Sequence, residues 1–235
     1  QLESMGVNHL VIKKFTKSFS RLSALEYVRD VLVNKLKVKH IIVGYDHHFG
    51  RNRTANIEDL KEYGDFYGFE VTEIMPQEVD DVAVSSTKIR NALFKGDVKI
   101  ANKFLGYNFS LTGKVEKGRG IGSTIDFPTA NINIEESYKL IPYSGVYLVK
   151  AIIKGINVFG MMNIGNNPTI SEDNRTNIEV HFFNFSNDIY GEVIKVELLD
   201  YLRNEIKFSS VHTLKEQLKK DEINAKRLID LISKI

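Results

Sequence analysis

The hydrophobic pattern of this chain changes period partway along, and that change limits the folds open to it. Up to Lys95-Gly96-Asp97, apolar runs alternate with segments of helical spacing; later, short alternating segments and turn clusters take over. In the first part, Val7–Ile12 and His40–Val43 are predicted as buried parallel strands, because a strand covered on both faces reads as a continuous apolar run. Between them, Ser23–Lys35 is predicted to be a helix, with Leu25, Val28, Leu32 and Leu36 at helical spacing. Ser23 stands at its cap and Glu26 three residues on. Ile57–Phe66 predicts a second helix, Phe69–Met75 a strand, and Ser85–Leu93 a helix opened by a Ser/Thr cluster. This is the rhythm of an open α/β sheet, which binds nucleotides at the carboxyl ends of its strands.

A short helix at Val98–Leu105 leads through Gly106 into Phe109–Lys114. Gly145–Ile153, Val158–Ile164, Asn177–Phe183 and Glu192–Leu199 follow, divided by turns such as Lys154-Gly155 and Ser186-Asn187-Asp188. Many short strands with regular turns predict a closed antiparallel barrel. His212–Ile235, with Leu214, Leu218, Leu228 and Leu231, predicts one or two amphipathic helices packed on it. The expected organisation is therefore α/β plus β, with domains at 1–106 and 107–235.

Composition narrows the partners. A net charge of +2 over 235 residues gives no electrostatic case for nucleic acid. There is no cysteine, which removes disulfides and thiolate metal sites. No apolar run approaches the length of a membrane span. Small-molecule partners in the cytoplasm are expected, without nucleic acid or membrane.

The chemistry concentrates in residues 118–131, GRGIGSTIDFPTAN. Gly118, Gly120 and Gly122 let a backbone approach phosphate closely. Pro128 stiffens the corner before Thr129 and Asn131, whose hydroxyl and amide oxygens are hard ligands suited to Mg2+ held mainly by nucleotide phosphates. The same composition also suits a plain turn-rich hairpin. Glu179 alternates with Ile178 and Val180 and so points away from them; a carboxylate there serves as a general base or as an ordinary exposed strand residue. Ser86 and Thr87 open a helix with Arg90 one turn inside, which makes either an anion site or a simple cap. Adjacent His47 and His48 point different ways and are not read as a metal pair.

The wording of these segments resembles the bacterial bifunctional riboflavin kinase/FMN adenylyltransferase (FAD synthetase) family. PTAN after a glycine stretch resembles its kinase signature. Gly145-Val146-Tyr147, the 163–169 run NIGNNPT, the 176–181 run TNIEVH, Tyr190-Gly191 and Leu202-Arg203 match further kinase segments in order. Upstream, the 43–50 run VGYDHHFG and the 84–90 run VSSTKIR resemble its adenylyltransferase segments. The resemblance implies a Rossmann-like nucleotidyltransferase domain, then a riboflavin-kinase-like antiparallel β-barrel with a C-terminal helix. It implies phosphoryl transfer from ATP to riboflavin to give FMN, with Mg2+ on Thr129 and Asn131 and Glu179 as base. Gly118, Gly120, Gly122, Ser123, Pro128, Thr129 and Asn131 would take ATP. Asn163, Asn167 and Arg203 would contact flavin or the new phosphate, Arg203 alternatively being a surface ion pair. Asp46, Ser86, Thr87 and Arg90 would bind the nucleotide of the adenylyltransferase.

Three positions depart from the family pattern. Asp126 stands where a Gly usually precedes the Phe, Ser123 where a basic residue is usual, and Ala83 where Lys or Arg often lies. An added carboxylate at 126 is expected to repel a triphosphate unless magnesium or Arg119 intervenes. The family's first strand and its G-x-F-D-G-x-H-x-G-H segment are not in the sequence, so FAD formation by this chain is expected to be lost. A non-catalytic flavin- or nucleotide-binding module is the alternative; a barrel for single-stranded nucleic acid is disfavoured by charge.

Overall fold

The computed structural model describes residues 2–118, 122–166 and 176–232, and it divides into two compact units, Gln1–Glu78 and Val79–Ile235. In the first unit Ser23 and Glu26 form the reciprocal cap that their spacing predicted. The Ser23 hydroxyl accepts the Glu26 N–H at 3.2 Å, and the Glu26 carboxylate accepts the Ser23 N–H at 2.8 Å. The helix starts as Ala24–Glu26 and widens to i→i+5 bonding over Tyr27–Lys35. Strands β1 (His40–Gly44) and β2 (Glu70–Ile74) pair in parallel through the crossover helix α1 (Ile57–Tyr67). Val28, Leu32, Leu60 and Phe69 form the core beneath them.

The segment Val7–Ile12, predicted as a strand, is not one; Val11 and Ile12 are 68% and 84% exposed. An apolar run becomes a strand only where an edge accepts its hydrogen bonds and a layer covers it. Among the described residues this run has no such partner, and β1 pairs with β2 alone.

The second unit includes helices α2 (Ser86–Phe94) and α3 (Val98–Leu105). Six strands follow: β3 (Ser110–Glu116), β4 (Ala130–Asn133), β5 (Gly145–Ile153), β6 (Ile156–Asn166), β7 (Thr176–Phe182) and β8 (Val193–Arg203). They close into a barrel in the order β8-β3-β4-β7-β6-β5, with every neighbour antiparallel. Strand β4 was missed by sequence because four residues carry too little alternation to register as a period. Inward-facing Leu111, Val149, Met162, Val180 and Val196 fill the barrel, and Leu93, Val98 and Ala101 of α2 and α3 join that core. Fully burying one such aliphatic side chain stabilises by about 1.5–3 kcal/mol.

One helix, α4 (Val211–Ile232), closes the chain. It packs Leu214, Leu218, Ala225 and Leu228 against outward-facing Val146, Leu148 and Met161. The barrel wall is thus apolar on both faces where α4 covers it and polar beyond.

Candidate active site

Strand pairing brings the chemistry-bearing residues into one line. Glu116 of β3 lies opposite Asn131 of β4, Asn131 opposite Glu179 of β7, and Glu179 opposite Asn163 of β6. Asn163 in turn faces Val146 of β5, and Val146 faces Arg203 of β8. Directly opposed residues have Cβ atoms about 4.5–5.5 Å apart. From Asn131 to Arg203 the row lines a single cavity of about 690 Å³ on the outer face of the barrel. The alternation of β7 explains the facing. Ile178, Val180 and Phe182 are buried inside, so Asn177, Glu179 and His181 share the outward side.

Gly118 and Gly122, on either side of the loop, close on the metal-ligand candidates. A Cβ on Gly118 would stand 2.0 Å from the Asn131 Nδ2, and one on Gly122 would stand 2.2 Å from the Phe127 carbonyl oxygen and 3.4 Å from the Thr129 Oγ1. Neither glycine has positive φ, so what demands glycine here is space rather than an unusual backbone. Gly118, Gly122, Thr129 and Asn131 all line the cavity. Pro128 is exposed and does not; its carbonyl oxygen lies 2.8 Å from His181 Nδ1. Gly120 and Asn167 lie outside the described residues, as does the side chain of Ser123.

Glu179 is held on one side by Asn177, whose Nδ2 donates to Oε1 at 2.7 Å. Arg203 lines the cavity, but its guanidinium is committed elsewhere. Nε and Nη2 donate to the Asp221 carboxylate of α4 at 2.7–3.0 Å, and Nη1 donates to the Asn204 carbonyl at 2.9 Å. The pair is buried rather than on the surface, with side chains 16% and 5% exposed. Gln217 adds a donor to Asp221 at 2.8 Å.

Asp126 adopts φ +67°, the left-handed backbone that glycine enters freely, which explains why glycine suits this position. Its carboxylate meets the Lys215 ammonium at 2.6 Å, and that hydrogen bond holds its carboxyl below the usual carboxylate range. The cation beside Asp126 is thus Lys215 of α4, which the sequence did not point to, while Arg119 lies outside the described residues.

Sequence reasoning missed Asn177, His181 and Glu205, which also line the cavity. Period two was the available signal for the first two, each lying two residues from Glu179. The apolar part of the lining, formed by Ile125, Phe127, Met161, Phe208, Leu214 and Leu218, brings together segments far apart in sequence.

The adenylyltransferase candidates fall in different units. Asp46 is an exposed residue of the first, its carbonyl 3.0 Å from His48 Nδ1, while His47 stacks on Phe49. In the second, Ser85 caps α2, accepting the Lys88 N–H at 3.3 Å, which leaves Ser86 and Thr87 in the first turn. Both are exposed, as is Arg90. Lys88 Nζ donates to the Ala83 carbonyl at 2.7 Å, bringing a cation beside the position that departs from the family.

A closed barrel with Gly118 and Gly122 closing on a Pro-Thr corner, and a carboxylate opposite, defines the class as a flavokinase-type barrel. The Riboflavin kinase family model matches residues 105–229 and the FAD synthetase model residues 1–88. A bifunctional riboflavin kinase/FMN adenylyltransferase of Listeria monocytogenes is 39% identical, covering 94% of this chain and 70% of its own length. One of the same description from Escherichia coli K12 is 35% identical over 98% of this chain and 73% of its own. A Streptococcus pneumoniae crystal structure described as a macrolide-efflux protein superposes with a TM-score of 0.86 at 36% identity, covering 96% of this chain and 72% of that one. The chain belongs to the bifunctional riboflavin kinase/FMN adenylyltransferase family. Among the described residues, no helix is long and apolar enough to cross a membrane.

Proposed function

We propose that the barrel cavity transfers the γ-phosphate of ATP to riboflavin, giving FMN, in a kinase domain spanning 107–235. The observation that carries this reading is the register of β4 and β7, which sets Asn131 directly beside Glu179 in one cavity. Phosphoryl transfer asks for positioning, charge neutralisation and acceptance of the acceptor's proton. Gly118 and Gly122 let the backbone close on Asn131 and Phe127 at the corner that would take the phosphates. Glu179, with Oε1 engaged by Asn177, keeps its other oxygen for the riboflavin hydroxyl, and a base so placed contributes about 10²–10⁴-fold in rate. The apolar part of the lining, with Phe127, Phe208, Leu214 and Leu218, suits a flat flavin ring. Arg203 lines the cavity as the tether of α4, and Asn163 stands between Glu179 and Val146 in the row.

The residues present fit Mg2+. The Thr129 Oγ1 and an Asn131 oxygen are hard donors with no hydrogen bond among the described residues. Among the described residues, with Arg203 neutralised by Asp221, Lys117 is the remaining cation of the lining against two carboxylates, Glu179 and Glu205. A bare triphosphate is repelled by that balance and its metal complex is not. Held by Thr129 and Asn131, the ion would neutralise phosphate charge. For the adenylyltransferase domain, 1–106, Ser86, Thr87 and Arg90 would meet nucleotide phosphate at the free N–H groups of α2, and Asp46 is a separate nucleotide-contact candidate within the first unit. The cytoplasm, with its ATP and reduced thiols, suits this cysteine-free chain.

The test is riboflavin with Mg-ATP, with FMN and FAD separated by chromatography. FMN formation supports the kinase reading. Flavin binding without FMN replaces it with the binding-module alternative.

A further inference from the structure

We infer that His181 is the positioning residue of the metal-ligand corner, acting through the carbonyl of Pro128. The inference rests on the kinase reading above and adds to it a residue two positions beyond Glu179 on the same face of β7.

The ladder between β4 and β7 begins at Ala130, opposite Val180, and continues with Asn131, opposite Glu179. Asn131 is therefore fixed by strand pairing, whereas Thr129 lies one residue before the first pair and is not. His181 supplies what the ladder lacks. Its Nδ1 lies 2.8 Å from the Pro128 oxygen, joining residues 53 apart in sequence. A carbonyl oxygen only accepts, so Nδ1 carries the proton, and in the neutral ring Nε2 keeps its lone pair. The Pro128–Thr129 peptide is planar, so fixing its oxygen fixes the plane from which Thr129 hangs. Proline has no N–H, so this oxygen is the one polar handle the Pro128 residue offers.

The ring itself has little freedom. Phe127 lies 5.1 Å away at 59° and Phe183 5.9 Å away at 70°, between centroids. The preceding residue is tied as well, with the Phe127 N–H donating to the Gly122 carbonyl at 2.9 Å. The corner is thus held at 127 by the glycine segment and at 128 by β7, and Thr129 Oγ1 is presented to the cavity between them.

Three variants of the full chain test this: H181L, which removes the donor; H181N, whose amide occupies the place of Nδ1; and H181Q, whose amide reaches the place of Nε2. The readouts are ADP binding by calorimetry across a Mg2+ series, the melting temperature, and FMN formation at saturating Mg2+. Loss of a group that orients a metal ligand costs about 10–100-fold in metal affinity. H181L and H181Q are expected to raise the Mg2+ needed for half-maximal ADP binding about tenfold or more, and H181N to restore it to within about threefold. ADP binding at the unaltered protein's Mg2+ requirement in H181L overturns the inference, as does H181N behaving like H181Q. If H181L does not fold, the comparison of H181N with H181Q decides alone. An unaltered chain that binds Mg-ADP but forms no FMN defeats the kinase reading and leaves this inference standing; FMN formation with no shift in any variant defeats the inference only.

Discussion

The ion pair between Arg203 and Asp221 separates two roles open to Arg203, contact with phosphate or tether of α4. Three N–H···O contacts of 2.7–3.0 Å join the guanidinium to a carboxylate that is 5% exposed, and Gln217 completes its shell. Removing one partner of such a pair costs about 3–5 kcal/mol, because the other charge stays buried. Arg203 is 16% exposed and recovers some hydration, so the lower figure, about 3 kcal/mol, applies to Asp221→Asn. For a unit of this size each kcal/mol lowers Tm by about 2–4 °C, so D221N should melt about 6–12 °C lower. Replacing both charges, in R203M/D221L, exchanges the pair for apolar packing of similar volume and should return Tm to within about 4 °C.

Thermal melting of the unaltered chain, D221N and R203M/D221L, followed by initial rates of FMN formation at saturating substrates, provides the assay. If Arg203 is a tether, activity follows stability, and the double variant recovers FMN formation to within about tenfold, a barrier change of about 1.4 kcal/mol. A D221N protein that melts with the unaltered chain would refute the burial argument. A double variant that melts normally but has lost FMN formation would refute the tether and return Arg203 to the phosphate.

Three further outcomes follow from the site. Glu179→Gln should lower kcat by about 10²–10⁴-fold with little change in Tm or in ADP binding; an unchanged FMN rate removes Glu179 as base. Gly118→Ala places a methyl where the Asn131 amide now lies, and ADP calorimetry should show the Mg2+ requirement rising about tenfold or more, while a value unmoved by the substitution denies the close approach. Asp126→Gly frees a left-handed backbone and gives up an exposed pair with Lys215, so its Tm at pH 7 should equal or exceed that of the parent. Because Lys215 lowers the folded-state pKa of Asp126, what the pair contributes is present at neutral pH and is lost as pH falls through that lowered value. The advantage of glycine should therefore grow on acidification, and a Tm gap that narrows instead would contradict the assigned sign.

The elements whose patterns ran longest were legible in advance. Gly145–Ile153 and Val98–Leu105 match their predicted bounds, and the Ser23/Glu26 box was readable because capping is a local event between near neighbours. Val7–Ile12 was misread because an apolar run reports only that burial would be favourable, not that a neighbouring edge exists to receive it. The site divides the same way. Thr129, Asn131 and Glu179 were readable as chemistry in a motif, but their adjacency is a property of strand order β4-β7-β6, which joins segments some fifty residues apart. The partner of Arg203 was unreadable for a similar reason, since nothing local to Asp221 on α4 marks it as the residue that meets β8.

What holds the row in place is the inside of the barrel rather than the row itself. Side chains on a strand alternate faces, so a one-residue slip of β7 would turn Glu179 inward and Val180 outward, exchanging a carboxylate for a core valine. The apolar interior forbids that at the cost of a buried charge, and so it sets the outer face indirectly. Strand β8 needs one more device. Its pairing with β5 shifts between Leu198 and Asp200 and again between Tyr201 and Arg203. Without the two extra residues Tyr201 would stand opposite Val146 on the outer face, and Arg203 would lie beyond the end of β5. With them Tyr201 faces the interior opposite Tyr147, and Arg203 reaches the row and the helix beyond it. Bulges of this kind re-aim side chains beside active sites. Here the two bulges deliver a cation that ties α4 across the barrel, so the cavity wall that α4 forms depends on two irregularities in an otherwise regular strand.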